Sequence, residues 1–192
     1  MATPDPPLRA DARRNRQRVL DAARDAFAEA GRAVPLDEIA ARAGVGPGTV
    51  YRHFPSKEAL FQAVVSTRVD DLVADARRRS TDTDPGAAFF GFLARLAAEG
   101  AAKRDTSDAI GVPGPVRAAL HDALALLLQR AQAAGAVRPG ITASDLLTIL
   151  KGLFVAGHDE PDPDRSARLL AVLTDGLRAP ARRARSDAER PV

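Results

Sequence analysis

The sequence predicts an all-α protein of about nine helices, and three observations carry that expectation. Ala, Leu, Arg, Asp and Glu dominate a chain with only 4% aromatic residues and few β-branched runs, a composition that suits helices rather than sheets. Apolar residues recur at three- and four-residue spacing, as in Val19, Leu20, Ala23 and Phe27. Glycine and proline fall between those stripes, where helices end and begin. With 192 residues, 45% of them hydrophobic, the chain is long enough for one or two small domains with a real core.

From the N-terminus, residues 1–11 contain Pro4, Pro6 and Pro7 and are expected to form a disordered arm. The helical pattern starts near Ala12, lines one face with Val19, Leu20, Ala23 and Phe27, and closes at Gly31. Leu36, Ile39, Ala40 and Ala43 mark a second, shorter helix. Gly44-Val45-Gly46 must break it, because a glycine just past the last periodic residue takes the left-handed conformation that ends helices. A third helix follows at once. Pro47 suits its first position, where a missing N–H loses no bond, and Val50 with Phe54 forms its inner face. Two short helices across a tight glycine turn make a helix-turn-helix, whose second member is shaped for a DNA major groove.

That geometry leaves Pro47, Gly48, Thr49, Tyr51, Arg52 and His53 away from the Val50/Phe54 face and available to a partner. Gly48 lets the helix approach a duplex closely, while Tyr51 and His53 supply hydrogen bonds to phosphates. Lys57 adds a positive charge just after Ser56, the expected cap of the next helix. Net charge is only +3, from 28 basic and 25 acidic side chains, so total charge does not announce nucleic acid. Its distribution says more: Arg13, Arg14, Arg16 and Arg18 form a run without an acid, and Arg14 and Arg16 are expected to reach phosphates.

The segment from Ala33 to Phe61 resembles the TetR/AcrR family of transcriptional regulators. Gly44-Val45, Thr49-Val50-Tyr51, His53-Phe54, Ser56-Lys57 and Leu60-Phe61 carry the resemblance, in that order. Two positions depart from it. Gly46 stands where many members cap the recognition helix with Ser or Thr, a difference of about a few tenths of a kcal/mol. Val34-Pro35-Leu36-Asp37 offers no hydroxyl at the start of the preceding helix to reach a phosphate.

A long helix is expected from Ser56 to about Arg79. Leu60, Phe61, Val64 and Val65 pack its first half on the DNA-binding unit, and Leu72 and Val73 commit its second half elsewhere, which makes it the mechanical link. After the polar break from Ser80 to Asp84, Pro85 opens a helix with Phe89, Phe92, Leu93 and Leu96 that ends near Gly100. Residues 101–114 read as turn-rich, with room for a short helix. From Pro115 a stripe of Leu120, Leu124, Leu127, Leu128 and Ala131 runs to Gly135. Thr142 pairs with Asp145 as a cap for a helix bearing Leu146, Leu147, Ile149, Leu150, Leu153 and Phe154. Asp162 and Pro163 open the last one, with Leu169, Leu170, Val172, Leu173 and Leu177. Helices this apolar need core on both sides or another subunit. Residues 179–192 are an expected disordered, charged tail. The domain boundaries follow: a helix-turn-helix domain over residues 12–70 and a C-terminal ligand-binding and dimerisation domain over 71–178.

The resemblance implies a homodimer joined through its last two helices by Leu146, Leu150, Leu153, Leu169, Leu170, Leu173 and Leu177. Such a dimer sets its two recognition helices roughly 34 to 36 Å apart, or a multiple of that, on an inverted-repeat operator in double-stranded DNA. It also implies a repressor released by a small-molecule effector, held between apolar walls of Phe89, Phe92, Leu96, Leu124 and Phe154, with His121 as a polar group. The absence of cysteine excludes disulfides and thiolate metal sites. Adjacent His158, Asp159 and Glu160 cannot easily converge on one ion, so neither metal nor cofactor is expected. No apolar run approaches the roughly 18 residues that cross a bilayer, and no signal-peptide core opens the chain, so a cytoplasmic protein without a membrane partner is expected. An enzyme has little support, for no nucleophile is paired with a base and no glycine loop cradles phosphate. A protein-interaction module built on the apolar C-terminal helices is the other reading.

Overall fold

The computed structural model describes residues 7–101, 114–156 and 163–180, with the backbone alone at residues 7–9, 100–101, 154–156 and 163. Over that range the chain is all-α. Its helices are α1 (Pro7–Ala30), α2 (Leu36–Ala43), α3 (Pro47–His53), α4 (Lys57–Arg79), α5 (Pro85–Ala101), α6 (Gly114–Ala133), α7 (Ala143–Ala156) and α8 (Pro163–Leu177), with a 3-10 turn at Gly31–Ala33. The short helix considered after residue 101, the His158-Asp159-Glu160 loop and the tail from residue 181 lie outside the described residues. One boundary differs from expectation: α1 starts at Pro7 rather than near Ala12, so residues 7–11 are helical instead of part of a disordered arm. Proline is preorganised for a first helical position, and Asp11 pairs with Arg14 one turn on, which supports the added turn.

The first three helices and the start of α4 build a compact head. Val19, Leu20, Ala23 and Phe27 of α1 bury themselves with Ile39, Ala40 and Ala43 of α2, Val50 of α3, and Leu60, Phe61 and Val64 of α4. The Phe27 and Phe61 rings meet edge to face, 5.3 Å between centroids. Gly44, at φ 62°, ends α2. Its N–H donates to the Ala41 carbonyl and that of Val45 to the Ala40 carbonyl, both at 3.0 Å, so two otherwise orphaned carbonyls are satisfied. Ser56 caps α4, its Oγ accepting from the Ala59 N–H at 3.1 Å.

Halfway along, α4 changes partners. Val69, Leu72, Val73 and Ala76 pack with Phe89, Phe92, Leu93 and Leu96 of α5 and with Leu124, Leu127, Leu128 and Ala131 of α6, in one continuous apolar body with the head. Polar ties fix the register of these helices. Asp75, the one buried charged side chain among the described residues, accepts from Arg79 and from Arg95 of α5, each at 2.9 Å. Burial alone would push its carboxyl up, but the hydrogen bonds from Arg79 and Arg95 outweigh that and hold it below the ordinary carboxylate range. Arg68 of α4 pairs with Glu99 of α5 at 3.3 Å. Arg130 of α6 donates to the Ser80 carbonyl and, at 3.1 Å, to that of Asp82, which closes the end of α4.

The expected cap of α7 forms in both directions. Thr142 Oγ1 accepts from the Asp145 N–H at 3.2 Å, while the Asp145 carboxylate accepts from the Thr142 hydroxyl at 2.7 Å and its N–H at 2.9 Å. Those Thr142 bonds hold the Asp145 carboxyl below its usual value. The end of α8 is fastened to the α6–α7 connection: Arg138 N–H donates to the Leu177 carbonyl at 3.0 Å and Ala179 N–H to that of Ala136 at 3.2 Å. Arg178 also lies 4.7 Å over the Phe90 ring of α5. No helix among the described residues is long and apolar enough to cross a membrane.

Candidate nucleic-acid interface

The interface is built from α3 outward. Val50, with no exposure, fixes the phase of this short helix, and Phe54 closes it with its N–H donating to the Val50 carbonyl at 2.8 Å. The opposite side therefore faces out. Pro47, Gly48, Tyr51 and Arg52 are exposed, Tyr51 to 51%, whereas Thr49 and His53 are half-buried. A Cβ built on Gly48 would meet nothing within 4 Å, so its backbone is open to a close approach.

The basic residues proposed around that surface divide by their partners. Arg16 stacks 5.2 Å over the Phe54 ring, beside the end of α3. Lys57 is half-buried and donates to the Ala33 carbonyl at 3.3 Å. Arg14 is exposed and pairs with Asp11, which lies just before the run. An exposed pair of this kind is worth about 1 kcal/mol or less, so a phosphate can displace the carboxylate. Arg18 serves the fold instead: its guanidinium donates to the Gly44 carbonyl at 3.0 Å and braces the turn between α2 and α3 from α1. Sequence reasoning missed that brace, because the two positions are far apart in the chain and neither breaks a local pattern.

The C-terminal residues expected at an effector site are partly brought together. Phe89, Phe92 and Leu124 are fully buried, Leu96 nearly so, all within the one apolar core. The side chain of Phe154 lies outside the described residues. His121 does not join them. It is half-buried between α6 and α7, 3.2 Å from Ser144 Oγ and 3.3 Å from the Asp122 carboxylate.

The leucines expected at a subunit contact split as well. Leu146, Leu150 and Leu177 are buried in the subunit's own core at 2% exposure or less, so the single subunit does not present them at its surface. Leu153, Leu169, Leu170 and Leu173 are half-buried. Among the described side chains of α7 and α8, Ile149, at 40%, and Val172, at 71%, are the exposed large hydrophobics. Their phase was readable from the helical repeat, but not which side of each helix faces the subunit.

Comparison with known proteins covers both halves of the chain. Residues 19–64 match the model for bacterial regulatory proteins of the tetR family, and residues 84–179 match that for the SbtR-like transcriptional regulator C-terminal domain. The solved TetR transcription regulatory protein from Mycobacterium vanbaalenii is 41% identical over 90% of this chain and 100% of its own, with a TM-score of 0.68. The TetR transcriptional regulator SCO0520 from Streptomyces coelicolor is 33% identical over 86% of this chain and 99% of its own, with a TM-score of 0.70. The transcriptional regulator TtgW of Pseudomonas putida is 45% identical over 69 residues, 34% of this chain and 50% of its own length. The chain thus spans half or less of the length of the curated relatives it first matches.

Proposed function

Because the chain belongs to the TetR family of bacterial transcriptional regulators, we propose that it is a ligand-responsive repressor that binds an inverted-repeat operator as a homodimer. The observation that carries the DNA-binding reading is the outward face of α3. Pro47, Gly48, Tyr51 and Arg52 are exposed on a helix whose other side is locked into the head by Val50 and Phe54. Tyr51 and His53 give hydrogen bonds to phosphate, Lys57 and the α1 arginines Arg14 and Arg16 give charge at its flanks, and Thr49 lies between. Two such heads in a symmetric dimer call for a symmetric site.

Effector control is supported by α4, which shares one apolar body with both halves of the chain. A ligand held among Phe89, Phe92, Leu96 and Leu124 that shifts α4 changes the spacing of the two heads. A preference of about 1.4 kcal/mol for the shifted state lowers DNA affinity tenfold. Repression is the mode typical of the family.

A gel-shift titration with the DNA upstream of the chain's own gene tests the reading. The expected outcome is saturable, salt-sensitive binding that depends on an inverted repeat, and weaker binding by Tyr51→Ala with an unchanged melting temperature. Absence of binding at micromolar dimer favours a protein-interaction module instead. If Tyr51→Ala melts the head while the folded fraction binds as before, Tyr51 is structural.

A further inference from the structure

We infer that Arg52 reads a guanine in the major groove, once in each half of the operator; the inference rests on α3 being the recognition helix. The other described cations of the head are engaged within the subunit: by carboxylates, as Arg24 and Arg42 are, by aromatic rings, as Arg16 and Arg32 are, or by backbone carbonyls, as Arg18 and Lys57 are. Among the described residues of the head, Arg52 is the exposed cation without such a partner. Redirecting it to a ligand breaks nothing.

Its position on α3 points the same way. A helical side chain lies over the turn that precedes its own Cα. For Arg52 that turn holds Gly48, where even a Cβ would have no neighbour within 4 Å. The guanidinium therefore sweeps the one stretch of α3 with bare backbone, the part that comes nearest to base edges when the helix enters a groove. A planar fork of N–H donors there matches the paired acceptors O6 and N7 of guanine. The hydroxyls of Thr49 and Tyr51 offer one donor each and cannot span that pair. Phosphates at the flanks fall to Tyr51, Lys57 and the α1 arginines, so the fork at the centre of the surface is left for sequence.

The test is selection from random double-stranded DNA by the full-length chain and by Arg52→Ala, with the bound pools sequenced and the folding of each variant checked by thermal melting. The wild type is expected to select an inverted repeat with a fixed G·C pair at one symmetry-related position of each half. Arg52→Ala should return the same repeat with only that position relaxed, and Arg52→Gln should move it toward adenine. Replacing that guanine by 7-deazaguanine should weaken the wild type roughly tenfold or more and leave Arg52→Ala unaffected. An unchanged motif bound uniformly less tightly by Arg52→Ala, with a salt slope lower by about one, makes Arg52 a phosphate contact and overturns the proposal. So does an inverted repeat without a fixed G·C pair. Failure of the wild type to select any repeat removes the recognition-helix reading itself, and this proposal with it.

Discussion

Asp75 is a carboxylate placed where water is scarce, and its neighbours decide whether it stabilises the fold. Arg79 and Arg95 donate to one of its oxygens and Arg78 to the other, each at 2.9 Å. Asp75→Asn keeps the shape but weakens these charge-assisted bonds, for an expected loss of about 1–3 kcal/mol near neutral pH. The sign of the pH dependence follows from the lowered carboxyl. A group whose folded pKa is depressed contributes fully above its unfolded value of about 4, and the contribution fades as the pH falls through the lower folded value. Urea titrations of wild type and Asp75→Asn from about pH 7 to about pH 3 should therefore show a gap that narrows only at the acid end. A gap constant down to that limit assigns the loss to packing instead. The sequence did not reveal this cluster. Ala74 to Arg79 carries no apolar stripe that marks Asp75 as buried, and Arg95, one of its partners, belongs to the next helix. The exposure of Tyr51 and Arg52 was legible because it needs only the phase set by Val50 and Phe54 four residues apart.

Two glycines four residues apart show how the helix-turn-helix divides stability from recognition. Gly44 sits at φ 62°, and a Cβ there would come within 2.5 Å of the Arg18 guanidinium. Gly44→Ala should therefore lower stability by about 1–2 kcal/mol, from the left-handed backbone alone, and displace the Arg18 brace as well. Gly48 has ordinary backbone and open space around it. Gly48→Ala should raise the melting temperature, by up to about 1 kcal/mol of stability, while weakening operator binding because the added methyl stands on the face that approaches the bases. Melting curves and gel shifts on the two variants should give opposite signs of stability change and the same sign of affinity change. An affinity unchanged by Gly48→Ala would mean that this part of α3 stays clear of the groove. The turn itself was readable, since Gly44 directly follows one apolar stripe and Pro47 directly precedes the next. The start of α1 was not, because a proline such as Pro7 marks either a first helical position or an irregular arm, and neighbouring prolines favoured the second.

At the scale of the whole molecule, the pairing of subunits depends on which side of α7 and α8 is left over after the monomer has folded. That is where local pattern fails: a helix apolar on two sides does not say which side meets its own core, and the answer comes from α5 and α6, distant in sequence. Leu146 and Leu150 turned inward, and Leu177 was drawn in by the clasp between the end of α8 and the α6–α7 connection. Ile149 and Val172 remain outside, with Leu153, Leu169 and Leu173 half-covered beside them. Two substitutions separate these roles. Leu150→Ala opens a cavity in the subunit and should cost about 2–5 kcal/mol, with the dimer of the folded fraction intact. Val172→Asp changes nothing inside the subunit but puts a charge on the leftover face; if that face joins two copies, desolvating an unpaired carboxylate there should make the chain sediment as a monomer at micromolar concentration. Operator affinity should fall with it, because a single head forfeits half the groove contacts and the fixed spacing between them. A Val172→Asp chain that still sediments as a dimer and binds the operator unchanged would place the subunit contact elsewhere on the molecule.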